Sequence, residues 1–282
     1  MPRIGIITDS SGYIPSDLIS KYDIKVAPLI SIWGEEELED GVDIMPDEFY
    51  ARLEESDIHP KTSQATIRYF EGLFRPLVEQ GTPILTIVLS DKLSGTLSSA
   101  QQAKAMFPDA TIELVNSNTT AMALGFQVLA AARAVEAGGS FEDVVELAKG
   151  ARDYTGVYFV VDTLEYLHRG GRIGGASKLF GSALNIKPIL YVHDGQVEPL
   201  DKVRTKGKAI TSLLEILDEK LVGKPNLRIS TLHAGVEQEA ADLLELAQER
   251  WSPIEGYITP VSPAIGTHVG PGTVGICYST DL

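Results

Sequence analysis

Ile84-Leu85-Thr86-Ile87-Val88-Leu89 runs into Ser90-Asp91-Lys92-Leu93-Ser94-Gly95-Thr96 and then into a helical pattern that lasts to Phe107. The first six residues are almost wholly apolar, as a strand covered on both faces must be. Strand, polar turn and helix in that order is the repeating unit of a parallel sheet. Working outward, the same unit recurs. Residues 3–8 are a short apolar run closed by Asp9-Ser10-Ser11-Gly12, residues 24–32 are a second candidate strand, and residues 111–115 end at Asn116-Ser117. Pro15-Ser16-Asp17 opens a first helical pattern, and others occupy 46–54, 67–78 (with Pro76 as an interior break), 96–107 and 120–137. The last is apolar nearly all round, through Met122, Leu124, Phe126, Val128, Leu129 and Ala132, which predicts a helix buried between layers or domains.

Gly138-Gly139-Ser140 ends that helix, another spans 141–152, and the texture changes after Asp153. Strands are expected at 155–161, 188–192, 196–200, 227–232, 254–261 and 272–278, with helices at 211–221 and 238–251. His193-Asp194-Gly195 between two apolar runs is a strong hairpin signal. The expected architecture is α/β in two domains. Residues 1–152 would form a mostly parallel sheet with helices on both faces, and residues 153–282 an α+β domain.

Composition narrows the function. The 282 residues carry 24 Lys and Arg against 39 Asp and Glu, a formal charge of −15, with 44% hydrophobic and 22% charged residues. This is globular composition, and a pI near 4.7 disfavours general nucleic-acid binding, which needs basic surface to neutralise phosphates. The one cysteine, Cys277, allows no internal disulfide and fits a reducing compartment. The opening apolar run is too short for a signal peptide, and no stretch approaches 18 uninterrupted apolar residues. A soluble, cytoplasmic protein is expected. Charge is uneven: residues 35–57 hold eleven acids and one base, whereas residues 169–208 hold eight bases and three acids. The basic segment is either a solvated face or a docking patch for an acidic partner or an anionic membrane.

Four hydroxyl-rich turns stand out: Thr8-Asp9-Ser10-Ser11, Thr62-Ser63-Gln64, Ser90 with Ser94-Gly95-Thr96, and Asn116-Ser117. The carboxyl ends of parallel strands converge on one crevice, so these turns are expected to share one rim. Ser94-Gly95-Thr96 lies between a buried strand and a helix, where free N–H groups favour an anion and Gly95 permits close approach. Serine and threonine also cap helices with no ligand present. With no P-loop sequence, and bases only at the margins (Lys61, Lys92), hydroxyls and N–H groups suit a singly charged carboxylate better than a polyphosphate.

Gly270-Pro271-Gly272-Thr273-Val274-Gly275 fits a dinucleotide fingerprint literally, but only seven residues follow Gly275, so no dinucleotide site is expected. Its glycines are expected to let backbone pass close to a ligand or another strand. His59, His168, His193, His233 and His268 include no pair at i, i+4 spacing, and no metal site is expected. A neutral His268 would either donate to a carboxylate or cap a turn. Ser94 beside His268 as nucleophile and base is a competing reading.

The ordered set Thr8-Asp9-Ser10-Ser11, Thr62-Ser63-Gln64, Leu93-Ser94-Gly95-Thr96, Leu164-Glu165-Tyr166-Leu167 with Gly170-Gly171-Arg172-Ile173, Lys187-Pro188-Ile189-Leu190, and Gly266 through His268 to Gly270-Pro271-Gly272 resembles the DegV family over essentially the whole chain. The resemblance implies two α/β domains that enclose a long-chain fatty acid. It also implies an acyl-carrying partner of a bacterial fatty acid kinase, which makes acyl phosphate for phospholipid synthesis. On that resemblance Thr62 and Ser94 hydrogen-bond the carboxylate, with Ser63 beside them, Gly95 offering its N–H and His268 nearby. Arg172 and Arg204 match basic positions that face the kinase or the membrane. Asn116, where the family more often has Asp, and the glycine-rich Gly174-Gly175 depart from the family pattern. The expected protein is a lipid-binding subunit without catalysis or cofactor of its own. The alternatives are a lipid esterase or acyltransferase using Ser94 and His268, and a sensor of a non-lipid small molecule.

Overall fold

The buried run at the centre of the first half is β6 (Ile84–Val88), and every one of its residues is buried. In the computed structural model, which describes residues 4–282 and only the backbone of 181–185, β6 pairs in parallel with β1 (Gly5–Asp9) and β7 (Ile112–Asn116). With β2 (Lys25–Ala27) these form a four-stranded parallel sheet of order β2-β1-β6-β7. The expected start of the first strand at Arg3 lies outside the described residues. The sheet is flanked by α1 (Ser16–Tyr22), α3 (Ile67–Glu79), α4 (Thr96–Lys104), α5 (Ala121–Glu136) and α6 (Phe141–Gly150). Helix α3 continues past Pro76.

Residues 24–32 are two strands rather than one. β2 belongs to the parallel sheet, whereas β3 (Ile30–Trp33) pairs antiparallel with β4 (Glu36–Glu39) and β5 (Lys61–Ser63) in a separate three-stranded sheet. The break falls at Pro28, which has no N–H for a ladder. The next N–H, of Leu29, donates to the Ser10 hydroxyl at 3.0 Å. The acidic stretch supplies β4 and then α2 (Pro46–Glu55), whose first turn carries Asp47 and Glu48, as the helix dipole favours.

The second half builds one six-stranded sheet from β8 (Thr155–Val160), β9 (Lys187–His193), β10 (Gln196–Val203), β11 (Arg228–His233), β12 (Glu255–Pro260) and β13 (Val274–Ser279). Its order is β10-β9-β8-β13-β11-β12, and only the β11–β12 pair is parallel. The β9–β10 turn places Asp194 at φ 46° and Gly195 at φ 79°, the left-handed pair that a two-residue hairpin needs. One face of this sheet, with Tyr158, Val160 and Ile229, packs under α8 (Lys206–Leu221) and α9 (Glu237–Trp251). The other face, with Val157, Phe159 and Leu232, joins the apolar cluster that fills the first half. Strands of the two smaller sheets lie within residues 5–116 and those of the larger sheet within 155–279, while that apolar cluster runs across both.

Helix α5 accounts for its own all-round apolarity. It packs on β8 and β13 on one side and on β1, β6 and the turn at Ser10–Gly12 on the other, and every residue from Ala121 to Ala132 is buried. A Cβ on Gly125 would lie 2.4 Å from the Gly12 carbonyl oxygen. Two short helices escape the sequence pattern: α7 (Glu165–Arg169) and α10 (Pro263–Val269). Both are under eight residues, too short for helical periodicity to declare itself.

Candidate ligand-binding site

Between the inner face of the six-stranded sheet and the first half lies a cavity of about 860 Å³ of atom-free space, counting its mouth. Its walls are mainly aliphatic and aromatic: Leu29 and Leu89 from the first half, Val157, Phe159 and Leu232 from the large sheet, and Val261 and Ile265 around α10. Among the described residues, Arg172 is the one side chain of its lining that carries a formal charge at neutral pH.

The polar lining is largely interconnected. Thr62 Oγ1 and His268 Nε2 are 2.8 Å apart. Arg172 Nε donates to the Leu93 carbonyl at 3.0 Å, one residue before Ser94, and the Gln64 amide lies within 3.2–3.5 Å of where a Gly95 Cβ would stand. Thr62, Gln64, Ser94, Gly95, Arg172 and His268 thus form one corner.

Each is placed by local chemistry. Thr62 sits on β5, in register with Ser31 of β3. Ser94 follows β6 in a turn where its N–H and that of Leu93 both donate to the Ser90 carbonyl. Its hydroxyl lies 2.9 Å from Thr96 Oγ1 and accepts the Thr96 N–H at 3.3 Å. Gly95 is the N-cap of α4 and brings no side-chain cap, so the helix start is open toward Gln64. His268 stands in the last turn of α10. Burial first, then the positive Arg172 and the nearby His59, lowers its pKa to about 4, so the imidazole is neutral at neutral pH. Its Nδ1 is buried without a hydrogen-bond partner among the described residues and faces Gly170, where a Cβ would lie 2.0 Å away.

Hydroxyls, a helix-start N–H, a neutral imidazole and one guanidinium form a set of donors suited to a single carboxylate. Among the described residues no hydrogen bond joins Ser94 to His268: Nε2 meets Thr62, and no carboxylate orients Nδ1.

Two of the four hydroxyl-rich turns reach the cavity, not all four. Asp9 accepts from the Ser11 N–H (3.0 Å), the Ser11 hydroxyl (2.6 Å) and the Leu89 N–H (2.7 Å), and the Ser10 hydroxyl donates to Asp40 at 2.5 Å. Asn116 accepts the Asn118 N–H, and the Ser117 hydroxyl donates to the Thr119 carbonyl. Among the described residues, none of the residues of these two turns lines the cavity. Arg172 turns inward, donating also to the Gly170 carbonyl at 2.7 Å, whereas Arg204 is exposed beyond β10. Tyr13, Gln64, Thr120 and Thr273 also line the cavity; of these Gln64 stood in a hydroxyl-rich turn and Thr273 in the glycine fingerprint, while Tyr13 and Thr120 stood in no motif.

The deceptive glycines pack backbone against side chains. A Cβ on Gly270 would lie 2.3 Å from the Tyr166 ring, and one on Gly272 2.1 Å from an Asp162 oxygen. Gly174 and Gly175 likewise leave room for the Val197 carbonyl and the Glu198 carboxylate. Cys277 is buried and unpaired, with burial pushing its thiol up to about 12. Among the described residues no group of three or more His, Cys, Asp or Glu stands ready for a metal, and no helix is long and apolar enough to cross a membrane.

A parallel sheet, a small antiparallel sheet and a six-stranded mixed sheet closing on an apolar cavity with one polar corner define the class: an α/β protein with a pocket where its sheets meet. A family model described as "Uncharacterised protein, DegV family" matches residues 3–281, and the chain belongs to that family. It is 37% identical over 282 residues to a DegV domain-containing protein of Clostridium perfringens, covering 99% of each chain. Among solved structures it resembles a DegV family protein of Thermus thermophilus described for its fatty acid binding, with a TM-score of 0.93, 32% identity and 99% of both chains covered. It also resembles DegV of Bacillus subtilis, described as a fatty acid binding protein, with a TM-score of 0.91, 32% identity and 100% of both chains covered.

Proposed function

We propose that this protein binds a long-chain fatty acid in the cavity and presents its carboxylate to a separate fatty acid kinase, without catalysing a reaction itself. The observation that carries the reading is the division of the lining into apolar walls and one donor-rich corner. About 14 buried methylenes at ~0.8 kcal/mol each give on the order of 11 kcal/mol gross, from which association costs are subtracted. A carboxylate buried without partners would cancel much of that gain. Thr62, Ser63, Ser94, Gly95 and His268 supply the partners, and Arg172 balances the charge. The tail therefore provides affinity and the corner provides position. The exposed Arg204 and its basic neighbours offer a face for the acidic surface of a kinase or for an anionic membrane, and the acyl phosphate product would feed phospholipid synthesis.

The test is solvent extraction of the denatured, purified protein followed by mass spectrometry. A fatty acid near one per chain is the expected result. An extract holding only a water-soluble metabolite overturns the reading. Acyl phosphate formed from ATP only when loaded protein and fatty acid kinase are combined supports the partnership. Hydrolysis of a chromogenic ester by the protein alone, lost in Ser94→Ala, would make it an enzyme instead.

A further inference from the structure

Asp40 lies in the acidic run of the sequence yet is buried, at 2% exposure, and among the described residues it neither lines the cavity nor meets a base. Its two oxygens are spent on opposite halves of the chain. Oδ2 accepts the Ser10 hydroxyl at 2.5 Å, at the end of β1, and Oδ1 accepts the Ala264 N–H at 3.1 Å, in the first turn of α10. The residue that begins that helix, Ser262, provides no side-chain cap of its own. Beside Asp40, the Tyr50 hydroxyl donates to the Val261 carbonyl at 3.1 Å, and a Cβ on Gly266 would lie 2.6 Å from that hydroxyl. The start of α10 is thus gripped from β1 and α2, and one turn further along the helix stands His268, facing Thr62. Asp9, adjacent to Ser10, ties the Leu89 N–H of the opposite cavity wall to the same β1 end.

We propose that Asp40 is the positioning residue of the polar corner: by joining Ser10 to Ala264 it holds α10, and through α10 the His268 imidazole, against Thr62. A remote carboxylate replaces the missing local cap and fixes the helix to the parallel sheet rather than merely starting it. The ionisable groups that face Asp40 are Asp9 from β1, Tyr13 from the turn after β1 and Tyr50 from α2, and none can carry positive charge. Burial without a counter-ion raises its pKa to about 6. Above that pH the charged carboxylate makes the stronger bonds, and below it the neutral acid grips α10 more weakly.

The consequence for ligand affinity rests on the fatty-acid reading; the consequence for α10 does not, and the experiment separates them. In ligand-free, isotope-labelled protein, the Ala264 amide and the His268 imidazole nitrogens are followed by NMR from pH 7.5 to 5, with Asp40→Asn and Asp40→Ala alongside. The wild type should show an inflection near pH 6 at both positions. Asp40→Asn, a neutral carboxamide whose oxygen still accepts from Ala264, should hold the His268 signal near its low-pH wild-type position at every pH and so lose the inflection. Asp40→Ala should shift His268 and weaken fatty-acid affinity about tenfold at pH 7.5. Unchanged His268 signals in Asp40→Ala, or an inflection that survives in Asp40→Asn, overturns the proposal. If Asp40→Ala fails to fold, Asp40→Asn alone decides it by the inflection. Wild-type protein that takes up no fatty acid yet shows the Asp40-dependent inflection sinks the fatty-acid reading and leaves the positioning role standing.

Discussion

Gly170→Ala isolates the role of His268 more cleanly than removal of the histidine does. Gly170 has φ −77° and ψ −8°, which alanine adopts without strain, so the backbone raises no objection. The added methyl would stand 2.0 Å from His268 Nδ1 and 2.8 Å from Cε1. Real contacts of that kind do not exist, so the ring must move. Its Nε2 is held to Thr62 at 2.8 Å, and a ring displaced by an ångström or more gives up that bond. The lost hydrogen bond is worth about 1 kcal/mol and the overpacking about 1–3 kcal/mol. The part felt at the polar corner should lower fatty-acid affinity roughly 5- to 30-fold, or about 1–2 kcal/mol. Delipidated wild type, Gly170→Ala, His268→Ala and the double variant would be titrated with the same fatty acid by calorimetry, forming a double-mutant cycle. In the His268→Ala background the methyl meets no ring, and its cost should fall to within about 0.5 kcal/mol of zero. Equal penalties in both backgrounds, or unchanged binding by Gly170→Ala, would refute the claim that His268 orders the carboxylate end.

Ser94→Ala should loosen headgroup placement while sparing tail uptake: a few-fold loss of affinity, about 1 kcal/mol, with a clear change in the NMR shift of a carboxyl-labelled fatty acid. His268 has a pKa near 4 in the folded protein against an ordinary 6.5, so between those values the unfolded chain binds a proton that the folded chain refuses. Stability must therefore fall on acidification across that window; relative to His268→Gln the wild type should lose on the order of 3 kcal/mol between pH 7 and 4, read from urea midpoints. Gly125→Ala would drive a methyl to 2.4 Å from the Gly12 carbonyl oxygen, and to 2.6 Å from the Met122 sulfur. Because backbone is the obstacle, a loss of roughly 1–3 kcal/mol and a Tm lower by several degrees are expected in calorimetric melting.

Long, strongly patterned elements were legible in the residues themselves. The apolar block around Ile87 could only be an interior strand, the Asp194-Gly195 pair could only turn a hairpin, and α5 declared its burial by having no polar face. The split of residues 24–32 was legible in principle, since Pro28 interrupts any ladder, but the competing pull of the Ser10 hydroxyl on the Leu29 N–H comes from nineteen residues away. The hydroxyl-rich turns looked alike in sequence; whether a hydroxyl meets a ligand or a backbone group depends on what the fold places opposite it. Thr62 faces His268, 206 residues distant, whereas Ser10 faces Asp40.

The sequence by itself determined the class of fold, the alternation of strand and helix, the family motifs and the candidate residues, because periodicity and turn chemistry are local and survive in one dimension. Only the tertiary structure decided which polar groups converge on the cavity, that the half-buried Arg172 is among its lining, and that one acid among eleven in residues 35–57, Asp40, is buried under α10. Those outcomes depend on distances between segments up to 224 residues apart. Burial and electrostatics act through space and leave no local signature in the order of the residues.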